Sequence, residues 1–160
     1  MTERFDSPGV RFPPPLLFVA GFLAGLAIDR WIYPLPFAAT RSSRPIWIAV
    51  GWLLAGAGLI LAGWAFATFR RARTAIIPNH PASALVRGGP YHYTRNPMYV
   101  SLALLYCGLA LIFDKPWALG FLPLVALALR RLVIAREEAY LTRAFGDAYA
   151  AYTREVRRWL

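Results

Sequence analysis

Four apolar runs divide the chain: Leu16 to Tyr33, Pro45 to Phe69, Pro97 to Phe113 and Trp117 to Ile134. Each is near the ~17–25 residues with which a helix crosses the hydrocarbon core of a bilayer. The second is uncharged from Ile46 to Phe69 and carries Gly51, Ala55, Gly58, Ala62 and Ala65 at four- and three-residue steps. That spacing puts small residues on one helical face, where a neighbouring helix can approach closely. The first run ends in Asp29 and Arg30, where a charge reaches the interface instead of incurring the ~2.5–3.5 kcal/mol of the bilayer centre. A cleavable signal is the competing reading of this run, and Glu3, Asp6 and the Pro13-Pro14-Pro15 string run against it. Only Asp114, Lys115 and Pro116 join the third and fourth runs, which predicts a tight helical hairpin.

From Ala135 to Trp159 the pattern changes. Leu141, Phe145, Ala148, Tyr149, Tyr152, Val156 and Trp159 recur at three- and four-residue steps, with charged residues mostly elsewhere. This predicts an amphipathic helix, bent near Gly146, lying in the membrane interface or covering a site. The expected fold is an all-α integral membrane protein of about four transmembrane helices plus a C-terminal amphipathic cytoplasmic helix. Its parts are two N-terminal spans over 1–69, a cytoplasmic loop over 70–96, a helical hairpin over 97–135 and the amphipathic helix over 136–160.

Composition agrees: of 160 residues 58% are hydrophobic and 16% charged, against ~45–50% and ~25% in soluble domains. Disorder is thereby excluded, and the balance is that of a small integral membrane protein rather than of an ordinary soluble domain. The net charge of +10 raises the question of nucleic acid, but the basic residues lie between apolar runs rather than on one polar face. With four spans, Arg4, Arg11, Arg70, Arg71, Arg73, Arg87, Arg95, Arg130, Arg131, Arg136, Arg143, Arg154, Arg157 and Arg158 fall on one side, and Arg30, Arg41, Arg44 and Lys115 on the other. The positive-inside rule then places both termini and the 70–96 loop in the cytoplasm, facing anionic lipid. Cys107 lies inside an apolar run and reads as a packed small hydrophobe. His80 and His92 have no partner set for a metal, and no metal is expected. Gly56-Ala57-Gly58 lies inside the second span without the strand and acidic residue of a dinucleotide site.

The loop concentrates unusual chemistry. It holds both histidines, the pair Gly88-Gly89 and the string Gly89-Pro90-Tyr91-His92-Tyr93-Thr94-Arg95-Asn96-Pro97-Met98-Tyr99. Glu137 and Glu138 follow the fourth run on the same expected side, amid Arg130, Arg131 and Arg136. A carboxylate pair there can simply balance arginines, for instance through Arg131 and Glu138. Carboxylates together with aromatic rings are also what a cationic ligand requires.

The run Gly89-Pro90-Tyr91-x-x-x-Arg95-Asn96-Pro97-x-Tyr99, followed by Glu137-Glu138-x-x-Leu141-x-x-x-Phe145-Gly146-x-x-Tyr149-x-x-Tyr152-x-x-x-Val156, resembles the isoprenylcysteine carboxyl methyltransferase family and its phospholipid methyltransferase relatives. The resemblance covers Leu85 to Leu160. It implies a helical membrane enzyme using S-adenosylmethionine, bound at the cytoplasmic face between the loop motif, the hairpin and the C-terminal helix. By that resemblance Leu85, Gly89, Pro90, Tyr91, Arg95, Asn96, Pro97, Tyr99, Glu137, Glu138 and Tyr149 are the expected cofactor-binding residues, with Arg95 and Glu137 catalytic. The sequence departs from the family at Asn96, where many members have His, at Ser101, where Gly is frequent, and at Val133, where some have Arg. The last departure would pass any substrate-orienting role to Arg130, Arg131 or Arg136.

The chemistry of these residue types fits. Tyr91, Tyr99, Tyr149 or Tyr152 can face a sulfonium or stack on adenine, and Glu137 or Glu138 can accept from ribose or an amino group. The Gly88-Gly89-Pro90 turn can present backbone groups to adenine, and the fork of Arg95 suits a carboxylate. The expected partners are the bilayer and a hydrophobic or lipid-bearing methyl acceptor, such as a prenylcysteine-like carboxylate. A carboxylate needs no base at neutral pH, whereas an amine or thiol does, with His92 the leading base by residue type. The rival reading is a non-enzymatic membrane scaffold or lipid-binding subunit.

Overall fold

The computed structural model describes residues 9–10, 12–37, 43–72 and 84–159. His80 and the 73–83 part of the loop lie outside the described residues. Helix α1 is Pro15–Trp31, α2 Arg44–Arg71, α3 Pro97–Ile112 and α4 Pro116–Leu129. All four carry proline in their first turn, where the missing N–H has no helical partner to lose. α4 continues through one π turn, Arg130–Ile134, into α5, Ala135–Glu155. The extra residue of the π turn lets consecutive side chains, Val133 and Ile134, both point inward and be fully buried.

Among the described residues, two helical stretches are long and apolar enough to cross a membrane: α2, and the 40-residue path from Pro116 to Glu155. The apolar part of that path ends at Ile134, before α5 begins. α3 is a shorter apolar helix, and α1 has 17 residues. Of about four expected spans, two therefore meet both the length and the apolarity of a span.

The small residues of α2 divide into two groups. Gly51, Ala55 and Gly58 are buried; a Cβ on Gly58 would lie 2.8 Å from the Ser101 carbonyl oxygen, and one on Gly51 2.8 Å from that of Gly108. These positions let α2 run against α3 at backbone distance, as the stripe predicts. Gly56 and Gly63 would meet nothing within 4 Å. α1 packs on α4 in the same way, where a Cβ on Gly25 would lie 2.5 Å from the Ala118 Cα.

The Asp114–Pro116 turn is as short as expected, with Asp114 at φ 57°. Its two arms nevertheless pack mainly on other helices, α3 along α2 and α4 along α1. Tyr106 ties three of them together: its hydroxyl donates to the Ala118 carbonyl at 2.6 Å, and Phe18 and Phe22 meet its ring edge-on. At the same end as the turn, Lys115 pairs with Asp29, while Asp114 accepts from the Phe37 N–H at 2.7 Å and pairs with Arg44 at 3.4 Å. Asp29, the acidic residue near the end of α1, is thus balanced within the fold.

α5 breaks where the sequence suggests, at Gly146 with φ 49° and ψ −124°, a left-handed conformation that glycine adopts without a Cβ penalty. Its end differs from expectation. The helix stops at Glu155 and Val156 is extended, with φ −120° and ψ 131°, so the chain leaves the helix before Trp159.

Candidate functional site

A cavity of about 620 Å³ opens where α2, the loop motif, α3 and α5 meet. Its walls are Ala62, Gly63, Phe66 and Phe69 of α2, residues 84–86, Tyr91, Arg95 and Asn96, and Met98, Tyr99, Ser101 and Leu102 at the start of α3. Glu137, Glu138, Tyr140, Leu141, Tyr149 and Tyr152 close it from α5, and Pro14 and Pro15 border it at the start of α1. Residues from both sides of the Gly146 break therefore face one space. Mostly apolar walls with a few converging polar groups are the usual composition of a small-molecule site.

The loop reaches this position through a 3-10 turn, Gly89–His92. Gly89 has φ 59°, and a Cβ there would lie 2.5 Å from Thr68 Oγ1 on α2. Both facts require glycine. Pro90 and Tyr91 are buried behind it; the Tyr91 ring meets Phe69 edge-on at 5.2 Å, and its carbonyl accepts from the Tyr152 hydroxyl at 2.6 Å. Burial pushes the Tyr91 phenol well above its ordinary pKa, so the ring is neutral. Arg87 lies over the Tyr152 ring, 5.6 Å from its centroid, and binds the Ala148 carbonyl, holding the second half of α5 to the loop.

The polar groups form a pair, Tyr99 with Glu137, and a triad, Glu138 with Arg158 and Arg95. Tyr99 donates its hydroxyl to Glu137 Oε1 at 2.7 Å. Burial raises the Glu137 carboxyl above its ordinary value of 4.5; the Tyr99 hydrogen bond opposes that shift and the neighbouring Glu138 charge adds to it. Glu138 is gripped by Arg158 through Nε–Oε1 at 2.9 Å and Nη2–Oε2 at 2.6 Å. Arg95 Nη1 shares Oε1 at 3.2 Å. The Nε of Arg95 is buried and has no hydrogen-bond partner, an expensive condition for a cationic donor.

Leu85, Tyr91, Arg95, Asn96, Tyr99, Glu137, Glu138 and Tyr149 are thus brought together on the cavity. Gly89, Pro90 and Pro97 are not on its walls: Gly89 seats the loop on α2, and Pro90 and Pro97 are fully buried packing residues, Pro97 opening α3. Asn96 lines the cavity, yet its side-chain amide donates to the Arg158 carbonyl at 3.0 Å. His92 is exposed against Tyr93, off the cavity. Arg130, Arg131 and Arg136 are exposed as well, and Arg136 donates to the Gly9 carbonyl at 3.1 Å. The pairing of Glu138 with Arg131 considered from sequence is replaced by pairing with Arg158 and Arg95. Sequence reasoning missed Arg158, the α2 wall and the wall positions Pro14, Pro15, Ala84, Val86, Met98, Ser101, Leu102 and Tyr140. Ala62, on the small-residue stripe, carried a signal for the wall; Arg158 carried none beyond its charge. Among the described residues no group of three or more His, Cys, Asp and Glu can hold a metal.

Residues 46–148 match the family model described as phospholipid methyltransferase. An uncharacterized protein of Haemophilus influenzae is 40% identical over 63 residues, which are 39% of this chain and the whole of that protein. No solved structure matches the chain.

Proposed function

The chain belongs to the phospholipid methyltransferase family, and on that premise we propose that it transfers a methyl group from S-adenosylmethionine to an apolar, lipid-bearing acceptor that reaches the cavity from the bilayer. One observation carries this reading: Arg95, Tyr99, Glu137 and Glu138, from two separate motifs, converge on one apolar cavity bordered by a membrane-length helix. The volume lies within the ~300–1,000 Å³ of small-molecule sites, and the donor set suits the cofactor. The unpartnered Arg95 Nε is free for its carboxylate, Glu137 can accept from its hydroxyl or ammonium groups, and the tyrosine faces suit a cation and a flat base.

Held by Arg95, Glu137 and the tyrosine faces, S-adenosylmethionine would supply an electrophilic methyl group: the acceptor's lone pair would bond to the methyl carbon, and the electrons of the broken carbon–sulfur bond would stay on the sulfur of S-adenosylhomocysteine. The protein's work is orientation and exclusion of water. Tyr99 fixes Glu137, Glu138 fixes Arg95, and Phe66, Phe69 and Leu102 keep the cavity apolar. Along α2, Ala62 and Gly63 leave the wall open for an acyl or isoprenoid chain. His92, the histidine among the described residues, stands outside the cavity and does not serve it as a base; an acceptor already ionised at neutral pH, such as a carboxylate, needs none. The arginine-rich end bearing the cavity faces the cytoplasm.

The test is transfer of isotopically labelled methyl from S-adenosylmethionine into a membrane lipid extract by the detergent-purified chain. Label in the organic phase, lost in Glu137→Ala, supports the proposal. No label above a protein-free control, with extracts rich in prenylated and acidic lipids included, refutes it.

A further inference from the structure

The last residues of the chain enter the site by a route that periodicity conceals. After Val156 turns extended, the Arg157 carbonyl accepts from the Arg95 backbone N–H at 2.9 Å. The Arg158 carbonyl accepts from Thr94 Oγ1 and from Asn96 Nδ2, both at 3.0 Å. Three consecutive motif residues, 94 to 96, therefore hold residues 157 and 158. The Arg158 side chain is delivered to Glu138, twenty positions earlier, and engages both carboxylate oxygens.

That engagement has a consequence for Arg95. A carboxylate and a guanidinium prefer a two-point pairing, and Glu138 left alone with Arg95 would draw its fork into one. Because Arg158 holds both Oε1 and Oε2, Arg95 reaches Glu138 through Nη1 alone, and its buried Nε keeps no protein partner. We propose that Arg158 is a positioning residue of the site: it saturates Glu138 and so keeps the Arg95 donor directed to an anionic group of the bound ligand, the carboxylate of the cofactor's amino-acid tail. Arg158 lies beyond the residues that match the family. The inference rests on the methyltransferase reading of the cavity.

The test compares two ligands in calorimetric titrations of the full detergent-solubilised chain: S-adenosylhomocysteine, which carries the carboxylate, and 5′-methylthioadenosine, which lacks the amino-acid tail. Arg158→Ala should weaken S-adenosylhomocysteine about tenfold or more, the usual cost of a disturbed charge-assisted hydrogen bond. It should leave 5′-methylthioadenosine within about twofold. Millimolar methylguanidinium should restore much of the loss, and Arg158→Lys, a point charge without the fork, should fall between parent and Ala. Equal weakening of both ligands would mean that Arg158 only supports the fold, and unchanged affinity for both would mean that it supports nothing at the site; either overturns the inference. If Arg158→Ala does not fold, as judged by circular dichroism, the ratio of the two affinities in Arg158→Lys decides in the same way. A parent chain that binds neither ligand would instead remove the methyltransferase reading itself.

Discussion

Gly58 and Gly63 stand five residues apart on α2, about 140° around the helix, and the structure gives them opposite duties. A Cβ on Gly58 would meet the Ser101 carbonyl oxygen at 2.8 Å, the Leu105 nitrogen at 3.0 Å and Leu104 Cβ at 3.3 Å. The first two are backbone atoms, so α2 and α3 must separate. A Cβ on Gly63 would meet nothing within 4 Å, and the position borders the cavity. Replacing either glycine with alanine gains about 1 kcal/mol of helix propensity, a gain that cancels when the two variants are compared. What remains is the overpacking at Gly58, about 1–3 kcal/mol. Gly58→Ala should therefore melt several degrees below Gly63→Ala in detergent, at ~2–4 °C per kcal/mol for a chain of this size. Gly63→Leu should fold like the parent, but its side chain would occupy the open wall. We expect it to lower methylation of a long-chain acceptor about tenfold or more while leaving S-adenosylhomocysteine affinity within about twofold. Coincident melting of the two alanine variants would refute the α2–α3 contact. Parental methylation by Gly63→Leu would show that the acceptor does not lie along α2.

Arg95→Lys should impair methyl transfer almost as much as Arg95→Ala, since lysine keeps the charge but cannot pair with Glu138 and a ligand carboxylate as a planar fork does; equal turnover of parent and Lys variant would remove Arg95 from the site. The raised Glu137 carboxyl must be ionised to accept ligand donors, so S-adenosylhomocysteine affinity should fall as pH drops through that raised value, and Glu137→Gln should bind weakly and without this pH dependence. The same shift acts oppositely on the unliganded protein: Glu137's contribution to stability is largest at acid pH and is lost as pH rises through its folded value. With Cys107 replaced by serine, cysteines placed at Pro36 and Ala144, both exposed, should differ in intact cells, the first labelled by an impermeant maleimide and the second protected; the reverse pattern would invert the orientation.

Much of this architecture is legible in local spacing because local physics sets it. The Gly51–Ala55–Gly58 steps specify a close helix contact wherever the partner lies, and Gly146 breaks α5 because the break needs a left-handed residue. The two motifs likewise give most of the cavity's polar side chains. Legibility ends where the outcome depends on contacts distant in sequence. The period of Tyr149, Tyr152 and Val156 continues to Trp159, yet the helix stops at Glu155, because residues 94 to 96 offer the Arg157 and Arg158 carbonyls better partners than another helical turn. No feature near Arg158 marks it apart from Arg154 or Arg157. The hairpin sequence predicts a short turn correctly but not that each arm packs on a different N-terminal helix, which the glycines of α1 and α2 decide. Gly89, Pro90 and Pro97 read as ligand-facing because they adjoin residues that are; their work is to seat the loop and start α3.

Methyl transfer in this cavity depends on binding of S-adenosylmethionine through the motif carboxylates. Calorimetric titration of the purified chain with S-adenosylhomocysteine tests it most directly, alongside Glu137→Ala and Glu138→Ala with their melting temperatures. The parent should bind saturably, and both variants should bind roughly ten- to a hundredfold more weakly, equivalent to the ~1.5–3 kcal/mol of a charged hydrogen bond, with folding retained. No binding by the parent, or variants that bind as the parent does, would contradict it and leave the carboxylates as partners of arginines in a membrane scaffold.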